Sequence, residues 1–273
     1  MLARRLGLVA VAVLPVVARA QSAPTQAQLD EISARGRALA GYQRAAWNAT
    51  VQLMATNPDP ATVQRYVAYH ADSGWVVAFG RLDTQRDTFY VSNIAVPAVV
   101  NGQRADSVFE FHKFDAPGPD IDFLVRATRA MDTAVVAMGA TGRAYQAAAI
   151  PADNGDWWVY LTPARDFSGV SSFGDDVRFR ISADADRIIE TRRMHKGMVA
   201  SDRGARAGTA HLAASSHKTS LRDEPEDSDV YYVLSRQPQV PEVVQTKHFR
   251  YLVDLDGSIK LLQGHETVVG VNR

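Results

Sequence analysis

The sequence predicts an α+β fold whose antiparallel sheet comes mostly from the C-terminal half. A long N-terminal stretch repeats apolar residues at helical spacing, nearly everything after Gly142 has the texture of strand, and strands do not alternate with crossover helices. The third observation argues against a parallel, doubly wound sheet.

The chain opens with Arg4 and Arg5, an apolar run over 6–17, and the small-x-small triplet Ala18-Arg19-Ala20. That order is a secretory signal peptide over 1–20, and its run is too short to stay across a bilayer. The expected location is periplasmic or extracellular, with no transmembrane segment after cleavage. A disordered leader is expected over 21–27 and one α+β domain over 28–273, with a subdivision near 142–150 as the alternative.

Over 28–55, Leu29, Ile32, Leu39, Tyr42, Ala46, Ala49 and Leu53 fall mostly three, four or seven apart, one face of a long helix. Asn57-Pro58-Asp59-Pro60 ends it, because proline cannot continue the hydrogen-bond ladder. A shorter helix is expected over 61–70. Residues 75–82 and 88–94 are β-branched and aromatic around the turn 83–87, predicting a hairpin. Alternation over 108–114 predicts another strand, and Pro117-Gly118-Pro119 breaks the chain before a second helix over 120–138.

Asp153-Asn154-Gly155-Asp156 is a turn leading into a strand over 157–161. Alternation over 177–182 sends Val177, Phe179 and Ile181 inward and Arg178 and Arg180 to water, with 187–194 as the hairpin partner. A second hairpin, 248–255 with 258–262, turns on Asp256-Gly257, a dipeptide suited to positive φ. Residues 196–229 read as a long surface loop, with regular structure returning over 230–234.

Cysteine is absent, so disulfides, iron–sulfur clusters and thiolate zinc sites are excluded. Stability must come from packing. Removing residues 1–20 takes away three arginines and no acid, which leaves 27 basic against 30 acidic residues. A chain at −3 has no global field to attract nucleic acid. No His-Glu-x-x-His run, Gly-x-Ser-x-Gly elbow or Walker loop is present. His70, His112, His195, His248 and His265 are scattered and read as ordinary surface or core residues. The acidic run 222–229 and the Asp254-Leu-Asp-Gly-Ser258 segment suggest calcium but fit a solvated loop and a turn better. Trp75, Trp157, Trp158, Tyr231 and Tyr232 are candidates to line a groove.

His211-Leu-Ala-Ala-Ser-Ser-His217, followed by Glu224-Pro-Glu-Asp-Ser-Asp229, resembles the metal-binding stretch of JAMM-type (MPN) metallopeptidases, over 211–230. The resemblance makes His217 the second histidine of a His-x-His pair and Asp229 the aspartate ligand. Ser228 lies near the serine's place at a different separation, and Ser215 stands where the first histidine belongs. The resemblance implies a zinc site containing His217 and Asp229; His211 or His195 is the candidate substitute for the third ligand, and Glu190 is available as base. The 177–194 hairpin also resembles the strand pairs of PepSY-type domains. The region 157–259 resembles exported bacterial proteins with no assigned activity.

The reading favoured by sequence is an exported binding or interaction module that takes a protein, peptide or small-molecule ligand in the cell envelope, with no cofactor and no stoichiometric metal. The alternative is a JAMM-like zinc hydrolase with a rearranged site. The two separate on whether His217, Asp229 and either His211 or His195 converge on one point.

Overall fold

A computed structural model describes residues 22–114, 121–164, 173–199, 215–219, 221–237 and 239–263. The signal segment and His211 therefore lie outside the described residues, as do His265 and the Pro117-Gly118-Pro119 break.

The first helix, α1 (Gln26–Met54), starts inside the expected leader because Thr25 caps it: the Thr25 hydroxyl accepts from the Gln28 amide, and the Gln28 side chain reaches back to the Thr25 amide. A four-stranded antiparallel meander follows: β1 (Arg65–Ala71), β2 (Gly74–Asp83), β3 (Thr88–Val100) and β4 (Gln103–Lys113). The helix expected over 61–70 is thus a strand. Its β-branched and aromatic residues pair along β2, from Arg65 opposite Gly80 to Ala71 opposite Gly74, and sheet pairing overrides a weak local preference.

Helix α2 (Ile121–Met138) leads to a second antiparallel sheet. It comprises β5 (Tyr145–Pro151), β6 (Trp157–Pro163), β8 (Val177–Ile181) and β9 (Ile188–Arg193), in the order β5-β6-β8-β9. The short strands β7 (Phe173–Gly174) and β10 (Met198–Val199) pair with each other. The C-terminal sheet has the order β11 (Ser215–Lys218), β12 (Glu242–Gln245), β13 (Arg250–Val253), β14 (Ile259–Leu261), and helix α3 (Asp227–Ser235) lies between β11 and β12 in sequence. Only β11 and β12 pair in parallel among the described strands. The class is α+β, as the sequence predicted.

The first two four-stranded sheets are covered on both faces. In β2, Val76 and Ala78 pack with α2 while Val77 and Phe79 pack with α1. In β6, Trp157, Val159 and Leu161 take the α2 side while Trp158 and Tyr160 take the other. Successive side chains of a strand point to opposite faces, so double coverage leaves neither set free. It also revises the strand that sequence read as half-exposed. Val177, Phe179 and Ile181 are buried against α2 as expected, but Arg178 is buried too, pointing at α3 instead of water. Only Arg180 reaches the surface in part, paired with Asp156. Phe179→Ala should cost about 3–5 kcal/mol and Arg180→Ala less than about 1 kcal/mol, as read by urea unfolding. Equal losses would mean the register is wrong.

The third core joins α1, α3 and the C-terminal sheet through Leu29, Ile32, Val230, Val233, Tyr251 and Ile259. Gly36 permits this contact, since a Cβ there would sit 2.5 Å from both the Asp227 carbonyl oxygen and the Val230 Cβ. The expected β13–β14 hairpin is present, with Gly257 at φ +78 in its turn. Among the described residues, no helix is long and apolar enough to cross a membrane.

Candidate metal centre

The run 196–229, expected as a surface loop, contains several of the most buried polar residues among those described. Residues 200–214 lie outside the described region, but 215–218 form strand β11 and 227–229 open α3. Glu226, Asp227, Ser228 and Asp229 are each at most 1% exposed. A solvated acidic loop would repel itself and stay wet. This one is buried because cations from distant elements meet its carboxylates. Asp227 accepts from Arg35 Nε (3.1 Å), Arg178 Nη1 (2.6 Å) and Tyr160 Oη (2.8 Å). Glu226 accepts from Arg192 Nε at 2.7 Å. Burial nevertheless pushes the Glu226 carboxyl up to about 8, with Arg192 opposing.

Asp229 is fully buried and meets two histidines. His195, just beyond β9, and His217, in β11, each place Nε2 3.1 Å from Asp229 Oδ1. The two imidazole nitrogens and the carboxylate oxygen all lie within 4.8 Å of one another. Each histidine is held from behind by a second carboxylate: His195 Nδ1 lies 2.8 Å from Asp176 Oδ1, and His217 Nδ1 lies 2.9 Å from Glu242 Oε1. Phe173 packs beside both rings, 4.6 Å from His195 and 5.4 Å from His217 between centroids, and stacks on Tyr232 at 4.2 Å.

Without a metal ion, the electrostatics favour charged histidines. Burial is the largest single influence on His195 and disfavours its charge, but Asp229 and Asp176 together outweigh it and push the ring up to about 11. His217 is pushed up to about 9 in the same way, by Asp229 and Glu242 against burial. Burial would raise Asp229, yet His217 and His195 hold its carboxyl well below the usual range. A histidine between two carboxylates must donate from both nitrogens, and His195 does so. His217 Nε2 does not complete the set: it is buried, close to Asp229, and without a hydrogen-bond partner. Proximity here is not a hydrogen bond, because the direction from ring to oxygen is wrong.

The donor set fits a divalent transition metal. Two imidazole nitrogens and one carboxylate oxygen are the three-ligand pattern of catalytic zinc sites, with one position left for water. Ligand atoms about 2.0–2.1 Å from a tetrahedral zinc lie roughly 3.3 Å from each other; the two edges at Asp229 Oδ1 are 3.1 Å, and all three ligand atoms lie within 4.8 Å of one another, so side-chain adjustment of up to about 1.5 Å closes the set. His217 Nε2, buried and without a hydrogen-bond partner, would become a lone-pair donor on giving up its proton to an incoming metal.

Of the residues the JAMM resemblance singled out, the structure brings His217 and Asp229 together, with His195 as third member. Ser215 sits at Glu242, hydrogen-bonded to its Oε2. Glu190 pairs with Arg178 at 3.4 Å, and its side chain is 42% exposed, away from the buried cluster. His70 packs edge-on against Trp75, and His248 pairs with Asp223. The aromatic candidates serve packing: Trp157, Tyr231 and Tyr232 are buried, and Trp158 lies under Arg178 at 4.6 Å. Asp176 and Glu242 carried no local signal in the sequence. No family model matches this chain, and no curated protein or solved structure is significantly similar to it.

Proposed function

We propose that this chain is an exported metalloprotein whose centre is His195, His217 and Asp229, and that it acts as a metal-dependent hydrolase with a rearranged JAMM-like ligand set. The observation that carries the reading is the approach of His195 Nε2 and His217 Nε2 to one oxygen of Asp229. With Ser215 standing in the first histidine's place, His195 supplies the third ligand of this reading. Three protein ligands leave room for one water, whose pKa a bound zinc lowers toward neutrality. The chain's own contribution is a dry site and fixed ligands. Export rests on the Arg-apolar-small order of residues 1–20.

Protein purified after export should lack residues 1–20 by intact mass and contain about one zinc per chain. His195→Ala and His217→Ala should each lose the metal while keeping the wild-type circular dichroism. Metal-free wild type, even after dialysis against zinc, would remove the hydrolase reading and leave the binding module.

That second reading has an observation of its own. Asp229 is already flanked by two histidines whose charged forms are favoured, which describes a self-sufficient ion-pair cluster as well as a site awaiting a cation.

A further inference from the structure

We propose that Asp176 and Glu242 are the positioning residues of this centre: each grips one histidine by Nδ1, so that both Nε2 atoms are turned to the same point as Asp229 Oδ1. The inference rests on the metal-centre reading above and adds to it the groups that make the centre selective.

An imidazole can present either nitrogen, and what fixes the choice is the hydrogen bond made by the other. Here both rings make that bond to a buried carboxylate. Asp176, one residue before β8, is 1% exposed. Glu242, in β12, is 2% exposed and stands opposite Ser215 in the parallel pairing of β11 and β12. Ser215 and His217 are two residues apart and on the same side of β11, so both reach Glu242: His217 takes Oε1 and Ser215 takes Oε2. Arg236 Nη1 adds a third contact, at 2.8 Å to Oε2. The serine standing in the first histidine's place therefore orients the carboxylate that in turn orients His217.

Asp176 is held more simply. Its Oδ1 meets His195, and its Oδ2 has no hydrogen-bond partner. Burying a carboxylate costs several kcal/mol unless something compensates; among the described residues no arginine or lysine is paired with Asp176, and its cationic partner is His195, 2.8 Å away. The three carboxylates of the cluster and Arg236 together carry −2. One divalent cation with neutral imidazoles balances that charge, and the Nδ1 protons stay directed at their carboxylates. A set of two nitrogens and one oxygen, with no sulfur, suits zinc, cobalt and nickel better than magnesium or calcium, which favour all-oxygen shells.

Cobalt(II) is the probe, since its visible bands report the ligands directly. Titration of the full mature chain with cobalt should give a saturable spectrum, and magnesium should not compete. Asp176→Asn and Glu242→Gln should each weaken cobalt binding by about 10–100-fold yet reach the wild-type spectrum at saturation, because the ligands are unchanged. His195→Ala, which removes a ligand, should abolish the spectrum. Ser215→Ala, which removes no charge, should weaken binding severalfold and covers the case in which a carboxylate variant fails to fold. Wild-type affinity in Asp176→Asn, Glu242→Gln and Ser215→Ala would overturn the positioning role while leaving the centre standing. A changed saturated spectrum in Asp176→Asn or Glu242→Gln would overturn it too, by making that residue a ligand. Absence of any cobalt binding by wild type would instead overturn the metal centre.

Discussion

Asp227→Ala should destabilise the protein by about 3–5 kcal/mol, as much as any core truncation. The side chain is fully enclosed and gathers Arg35, Arg178 and Tyr160. Its loss strands Arg178, whose side chain is 4% exposed and whose other carboxylate, Glu190, lies at 3.4 Å. The cost comes from a buried charge left without its partner, not from the pair's intrinsic strength. Arg178→Met in the same chain should therefore return much of the loss, since an apolar side chain of similar length leaves nothing unpaired on Trp158. Urea unfolding of the wild type, both single variants and the double variant measures this. Simple additivity of the two losses would show that the residues are not coupled.

The second large effect is a dependence on pH that metal abolishes. Both histidines titrate, in the folded chain, above the 6.5 of a free imidazole. The folded chain then holds more protons than the unfolded one above that pH, so stability falls as pH rises. The contribution is fully present below about 6.5, declines through about 9 as His217 deprotonates, and is gone above about 11 when His195 follows. For His217 alone the loss is about 3 kcal/mol. Glu226, raised to about 8, works in the same direction over a lower range. Thermal unfolding of chelator-treated protein from pH 6 to 10 should show a falling midpoint. With zinc at about a thousandfold over its Kd, the midpoint should rise by the equivalent of about 4 kcal/mol near neutrality. The decline due to His217 should then vanish, because metal-bound histidines have already given up one proton. A flat profile without metal would mean that the histidines are neutral in the free protein.

The framework was legible where local pattern and tertiary role coincide. The spacing of Leu29, Ile32, Leu39, Tyr42 and Leu53 is one face of α1, and all five are buried. The Asp256-Gly257 turn is where its chemistry placed it. Residues 61–70 failed because a single strand of mixed polarity has no period of its own, and β2 supplies the reason for its conformation. Arg178 failed because alternation shows only that two faces differ. It cannot show that a helix from elsewhere covers the second.

The site was half legible for the same reason. His217 and Asp229 share a local motif, so a short window held both. His195 meets Asp176 across 19 residues and Asp229 across 34, and His217 meets Glu242 across 25. No spacing rule spans such gaps. The acidic run looked solvated because its counterions, Arg35 and Arg178 above all, come from α1 and β8.

The nine-residue helix α3 has a consequence for the order in which the molecule comes together. A helix that short does not persist alone in water, and the residues at its start find partners 192, 67, 49 and 34 positions away. Those contacts form only after long loops have closed, so α1 and the second sheet must already be in place. Docking of α3 is then a late event, and it is the event that brings Asp229 to the two histidines. A partly folded chain has no centre to load. On the proposed reading of an exported metalloprotein, a chain threaded through a membrane before it folds would cross empty and take its metal in the compartment where it finishes folding.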